Sequence, residues 1–244
     1  MIRTLPETGS TNADLLAALR AGERVAEGDW LVADRQTAGR GRQGRAWFDG
    51  AGNFMGSTVV HLAAGDPPPA SFALAVGLAA YEAVVPLLAS PDQLRLKWPN
   101  DLTLGGAKLA GILLEREGAW LVVGIGVNLA QAPVIEGRAT VSLAALGPPP
   151  SRDLFAGALA GSFAVELERW RSFGVEPIVR RWQSAAHPVG TPLSVAPPGE
   201  PPLDGTFEGL DDAGALRLRA IDGTIRVIHA GDVFFAANAT TGKG

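Results

Sequence analysis

"QTAGRGRQGRAW", Gln36 to Trp47, sets three arginines, Arg40, Arg42 and Arg45, among three glycines. Its inner run, Gly39 to Gly44, satisfies G-x-G-x-x-G and follows a strand-like segment, "WLVAD", Trp30 to Asp34. In a dinucleotide-binding fold that motif opens a helix whose N-terminus receives the pyrophosphate, and a later strand ends in an acidic residue. Here "RAWFDGAGN" follows, broken by Gly50 and Gly52, so no helix begins. The dinucleotide reading fails at that step. Walker spacing is absent as well, since "GGAKLAG" and "TTGKG" both lack it. RNA-binding or disordered arginine–glycine runs are long and terminal, whereas this one is a single short element between two β-like segments. An ordinary exposed turn and an anion-binding loop both remain open. In the latter, glycines bring backbone N–H groups close to a ligand and guanidinium forks hold its oxygens.

The chain is long enough, at 244 residues and 47% hydrophobic, to bury a substantial core in one domain or one domain plus a small appendage. Eighteen of its 21 cationic residues are arginine, the lysines being Lys97, Lys108 and Lys243. Heavy arginine, alanine, glycine and proline usage makes arginine by itself uninformative. A net charge of -4 argues against general affinity for nucleic acid. Without cysteine there is no disulfide framework, thiolate zinc site, iron–sulfur ligation or cysteine nucleophile. The start, "MIRTLPETGSTN", lacks the apolar run of a signal peptide. The apolar window Phe72 to Ala89 is interrupted by Glu82 and Pro86 and reads as a buried helix, not a membrane span. A cytoplasmic protein without membrane association is the expectation. His61, His187 and His229 are too scattered for a metal cluster, no Ser/His/Asp order stands out, and metal ligands stay unassigned.

Working outward, "STNADLLAALRAG" offers N-caps in Ser10 to Asn12, an apolar stripe in Leu15, Leu16 and Leu19, and a stop at Gly22. "FMGSTVVHL" reads as a strand and Ala70 to Leu88 as a long helix. "QLRLKW" is a strand ended by Pro99, and Gly105-Gly106 turns one strand into the next. "WLVVGIGVNL" is an apolar strand ending at Asn128, the run Ala130 to Ala139 has no period, and Leu154 to Trp170 and Glu176 to Ala186 read as helices. From about His187 short β segments joined by Gly, Asp and Pro turns suggest a small β-barrel or sandwich. The expected division is therefore 1–186 and 187–244.

Two lysines lie inside the body. Lys97 in "LKWPND" is either a solvated lysine beside a core tryptophan or part of a site with Asn100 and Asp101. Lys108 in "GGAKLAGILLE" alternates with Leu109, so its meaning depends on what its own face covers. If that face meets the arginine loop, several cations converge, and in an acidic protein such a cluster needs an anion. Gly124 and Gly126 before Asn128 suit close approach of a heterocycle or relief of crowding against a helix.

"STN" (Ser10 to Asn12), "QTAGRGRQGRAW", "KWPNDL" (Lys97 to Leu102), "AKLAGILLE" (Ala107 to Glu115) and "GIGVNL" (Gly124 to Leu129) occur in the order and spacing of one family. Together they resemble the catalytic domain of biotin protein ligases, over about residues 5 to 185. The resemblance implies an α/β (α+β) catalytic domain, a mixed sheet flanked by helices as in class II aminoacyl-tRNA synthetases, followed by a small C-terminal SH3-like β-barrel. It implies an ATP-dependent biotin–[biotin carboxyl carrier protein] ligase that forms biotinyl-5'-AMP with Mg²⁺ and transfers biotin to a carrier lysine. By position, Ser10, Thr11, Asn12, Gln36, Arg40, Gly41, Arg42 and Lys108 match biotin contacts, with Arg42 and Lys108 the catalytic pair. Arg42, Arg45, Trp47, Lys97, Asn100, Asp101 and Asn128 match the ATP and adenylate side.

The partner implied is the biotin carboxyl carrier domain of a carboxylase. A homodimer is compatible with the family. The biotin motif begins at Ser10, which leads to the expectation that the N-terminal DNA-binding domain of bifunctional relatives is absent, and nucleic-acid binding with it. Gln43 stands where a further arginine is frequent. A lipoate–protein ligase, an inactive biotin-binding module and a nucleic-acid binder are the competing readings. The first shares the fold, the second has little need for both Arg42 and Lys108, and the third conflicts with the charge balance.

Overall fold

Seven strands build the main sheet: β1 (Ile2–Leu5), β2 (Trp30–Ala33), β3 (Phe54–His61), β4 (Leu94–Lys97), β5 (Asp101–Leu104), β6 (Ala107–Glu117) and β7 (Trp120–Val127). The structure is a computed structural model describing residues 1–235; residues 236–244, with "TTGKG" and Lys243, lie outside the described residues. Strand order is β1-β2-β3-β7-β6-β5-β4. β1 and β2 run parallel and the other neighbours antiparallel, so the sheet is mixed.

Side-chain alternation divides the two faces of this sheet. Phe54, Val60, Leu121, Val123, Ile125 and Val127 point into the large core. Helices α2 (Phe72–Val84), α3 (Arg152–Phe173) and α4 (Val175–Ala185) cover that side. Phe72 meets Phe163 and Trp170, and Phe54 meets Phe155. The opposite face carries α1 (Thr11–Arg20), seated on Leu31, Val59 and Val122 through Leu15 and Leu16. Each buried leucine contributes roughly 2 kcal/mol and anchors the helix whose first turn presents Ser10, Thr11 and Asn12.

The helix expected over Ala70 to Leu88 is α-helical only across Phe72–Val84, with 3₁₀ turns at Pro69–Ser71 and Val85–Leu87. Pro86 lacks the N–H that would continue the ladder. By length and hydropathy Pro69–Leu87 would qualify as a membrane span, but much of it is core. α3 is longer than the sequence suggests, capped by Ser151 and separated from α4 by Gly174 at φ 74°.

Five strands follow: β8 (Pro192–Ala196), β9 (Leu203–Leu210), β10 (Leu216–Ala220), β11 (Ile225–Ile228) and β12 (Asp232–Phe235). Here the expectation of an SH3-like β-barrel is corrected. The order is β11-β10-β9-β8-β12, an open antiparallel sheet whose outer strands do not pair with each other. Closure would require that pairing. β11 is instead exposed from Ile225 to Val227 and bonds only to β10, while β12 turns away to pair with β8. Apolar residues of this sheet, Leu193, Val195, Phe207 and Leu216, join the main core. Trp98 Nε1, in the β4–β5 turn, donates to Gly214 O at 3.1 Å and Leu210 N to Gln183 Oε1 of α4 at 2.8 Å, tying the second sheet to the main domain.

Candidate active site

A cavity of about 550 Å³ opens on the α1 face of the main sheet. Its floor follows from the alternation of β6 and β7. Gly111 pairs with Gly126, and Gly124 lies two residues before it on the same face. A methyl group at Gly124 would overlap the Asn12 amide, and one at Gly126 would overlap the Trp47 indole. Of the two readings open for these glycines, relief of crowding against a helix holds at Gly124, since Asn12 belongs to α1, while Gly126 makes room for the Trp47 side chain of the arginine loop. Both clear space on the site face of the sheet, not on the side covered by α2 to α4.

Every residue matched to the biotin or adenylate side lines this one cavity: Ser10, Thr11, Asn12, Gln36, Arg40, Gly41, Arg42, Arg45, Trp47, Lys97, Asn100, Asp101, Lys108 and Asn128. One end is neutral. Thr11 N donates to Gln36 Oε1 at 2.7 Å, and Thr11 Oγ1 lies 2.6 Å from Ser57 Oγ, which donates to Asn12 Oδ1 at 2.6 Å. Ser10 caps α1, its Oγ accepting from Ala13 N at 3.4 Å. These side chains are all buried.

The other end is charged. Six cationic side chains, Arg40, Arg42, Arg45, Lys97, Lys108 and Arg138, line the cavity with two carboxylates, Asp101 and Asp232. Lys108 Nζ is 2.6 Å from Asp101 Oδ1 and 5.6 Å from the Trp47 ring centroid; Lys97 reaches the other Asp101 oxygen at 3.6 Å. Burial lowers the pKa of Lys97 from its ordinary value, with Asp101 opposing. Burial likewise lowers that of Arg42, opposed by Asp232. Two like charges 4 Å apart near a protein surface repel by about 4 kcal/mol, so a surplus of desolvated cations strongly favours an anion between them.

The arginine loop is a tight hairpin. Gly41 N donates to Arg45 O at 2.7 Å and Trp47 N to Gly39 O at 2.8 Å, around a 3₁₀ turn at Arg42–Gly44. Gln43 takes a left-handed conformation at φ 57° and points outward. Arg42 Nη1 donates to Asn100 Oδ1 at 3.3 Å and to Gly231 O at 3.5 Å, while Arg45 Nη2 donates to Asp232 Oδ1 at 2.8 Å. The loop is thus docked on β12. Burial alone would raise the pKa of Asp232, but the Arg45 hydrogen bond and the charges of Arg45, Arg138 and Arg42 outweigh it and hold the carboxyl low.

Two buried polar atoms on the cavity have no hydrogen-bond partner among the described residues, Trp47 Nε1 and Asn128 Oδ1. The Asn128 amide is oriented by donation from its nitrogen to Val141 O at 3.1 Å. Sequence reading missed Ser57, Arg138 and Asp232. Ser57 could have been found as a polar residue in the otherwise apolar "FMGSTVV". Arg138 lay in the aperiodic run, and Asp232 is distant in the chain, with no local signal for either.

Fold and site together define an α/β protein whose open mixed sheet carries a small-molecule cavity with a neutral and a cationic end. Residues 8–129 match the biotin/lipoate A/B protein ligase family, and 198–236 match the biotin protein ligase C terminal domain. The chain belongs to this family, among its biotin protein ligases. It is 38% identical over 242 residues to the biotin–[acetyl-CoA-carboxylase] ligase of Paracoccus denitrificans, covering 95% of this chain and 99% of that one. It is 34% identical to the bifunctional ligase/repressor BirA of Escherichia coli, covering 95% of this chain and 73% of that one. The biotin protein ligase of Aquifex aeolicus, solved with biotin and ATP, superposes with a TM-score of 0.83 at 26% identity, covering 96% of this chain and 98% of that one.

Proposed function

We propose that this cavity joins biotin to ATP as biotinyl-5'-AMP and passes the biotinyl group to a lysine of a biotin carboxyl carrier domain. The observation that carries the reading is the division of one cavity into a neutral hydrogen-bonding end and a cationic end, lined by the family's motifs.

In the first step a carboxylate oxygen of biotin bonds to the α-phosphorus and the bond to pyrophosphate breaks. Both reactants are anionic. Lys108 and Arg42, with Arg40 and Arg45 on the loop, offset their repulsion and the charge that grows on the phosphoryl oxygens. The neutral end takes the ureido ring, which brings N–H donors and a carbonyl acceptor to Thr11, Ser10 and Gln36. On the nucleotide side, Asn128 Oδ1 has no hydrogen-bond partner among the described residues and suits an exocyclic amino group as its donor. In the second step the carrier amine attacks the acyl carbon and AMP leaves. No protein nucleophile is required, and the loop over the mixed anhydride excludes water.

Mg²⁺ would enter with the triphosphate and shield its charge, since it is held mainly by phosphates, waters and one or two carboxylates. Asp101 and Asp232 are the carboxylates on the cavity, and no cluster of three or more His, Cys, Asp or Glu is found among the described residues. ATP and a carboxylase carrier as substrates fit a cytoplasmic setting. The test is ATP–pyrophosphate exchange with biotin, lipoate or no acid. Biotin-dependent exchange followed by labelling of an apo carrier domain is expected; exchange indifferent to biotin would reject the reading.

A further inference from the structure

Glu115 on β6 does not line the cavity, yet it begins a chain of hydrogen bonds that ends there. Its Oε2 accepts from Asn12 Nδ2 at 2.8 Å, and no cation forms an ion pair with it among the described residues. An ionised carboxylate is acceptor-only. It therefore compels Asn12 to face it with the NH₂ group and to turn Oδ1 toward Ser57. Ser57 must then spend its single proton on Asn12 Oδ1, at 2.6 Å. With that proton committed, the 2.6 Å contact between Thr11 and Ser57 is made by the Thr11 proton. Thr11 Oγ1 also lies 3.1 Å from Gln36 Oε1, but with its one proton spent on the shorter contact to Ser57 it keeps only acceptor lone pairs on the cavity side, and Gln36 Oε1 is already held by Thr11 N at 2.7 Å.

We infer that Glu115 is a positioning residue for biotin: through Asn12 and Ser57 it fixes the proton direction that makes the Thr11 hydroxyl an acceptor for a ureido N–H. This rests on the reading of the neutral end as the ureido subsite. Without the carboxylate, the Asn12 amide can flip and the chain can run the other way. Thr11 is then free to present its proton toward the ligand, and two donors would meet. Sequence pattern could not reveal this, because Glu115 reads as the polar end of a strand and lies 103 positions from Asn12.

The experiment measures KM for biotin and for ATP, and kcat, in adenylate formation by the full chain. Glu115→Leu should raise KM for biotin about tenfold, the effect of one lost hydrogen bond, while kcat at saturating biotin and KM for ATP stay near wild type. Glu115→Gln keeps an oxygen for Asn12 and should recover most of the loss. Because the effect acts through Thr11, the double variant Thr11→Val/Glu115→Leu should be no worse than Thr11→Val alone. A biotin KM unchanged in Glu115→Leu, or losses that multiply in the double variant, overturns the proposal and leaves the ureido subsite standing. An unchanged KM in Thr11→Val overturns the subsite and the proposal with it.

Discussion

The two ends of the cavity are prepared for ligand in opposite ways. At the neutral end Thr11, Asn12, Gln36 and Ser57 already satisfy one another through short buried hydrogen bonds, and ligand binding need only add to them. At the charged end Lys108 and Arg45 rest on carboxylates, Asp101 at 2.6 Å and Asp232 at 2.8 Å, which stand where anionic charge is wanted. Neutral groups can be locked in advance because they lose little when desolvated. Cations packed without counter-charge repel, so this end is held by pairs that an arriving phosphate can exchange. Geometry is built into one end, and charge is kept in reserve at the other.

The sharpest way to break this contrast is Lys108→Ala. Removing a fixed charge from the transferring phosphate should lower biotin-dependent pyrophosphate exchange by at least about a hundredfold, mostly in kcat. Near-normal exchange would remove Lys108 from catalysis. At the neutral end Gly124→Ala drives a methyl group into the Asn12 amide. It should raise KM for biotin roughly tenfold and leave KM for ATP little changed, an overpacking cost of about 1–3 kcal/mol. A rise in both would mean that the two ends are not separable. Asp232→Asn frees Arg45 from β12 at a partly exposed pair worth under about 1 kcal/mol. Trypsin should then cut the Arg40–Arg45 loop a few times faster in the free protein, and biotin with ATP should restore protection.

The smallest effect on activity is expected at His187, outside the cavity. Burial first, then the charges of Lys97 and Arg95, lower its pKa from 6.5 to about 4. The unfolded imidazole takes a proton below 6.5 and the folded one only below about 4, so its contribution to stability is present above 6.5 and is lost as pH falls through that window. His187→Gln, which can keep a hydrogen bond to Thr103, should flatten the fall in Tm between these values without changing exchange at neutral pH. An equally steep fall would place the acid sensitivity elsewhere.

Much of the site was legible because its parts are local. The glycines and arginines of the loop, the apolar stripe of α1, and the strand ends at Lys97 and Asn128 each carry their signal within a few residues. The α-helical limits of Phe72–Val84 were blurred, since apolar content alone does not distinguish α from 3₁₀ turns around Pro69 and Pro86. For the second sheet the sequence pattern points equally to a barrel, because short strands with regular turns are common to open and closed sheets. Closure depends on whether the outermost strands meet.

The family, the mixed α/β architecture and the residues that crowd one cavity are written locally along the chain, because these rest on periodicity and on motifs in order. Only the tertiary structure decided which face Gly124 and Gly126 serve, that Ser57 and Glu115 orient the neutral end, and that Asp232 reaches the arginine loop across 187 positions. Such contacts are made by strand register and sheet order. A local pattern can state that a residue alternates outward; which partner waits on that side is set by strands folded from elsewhere in the chain.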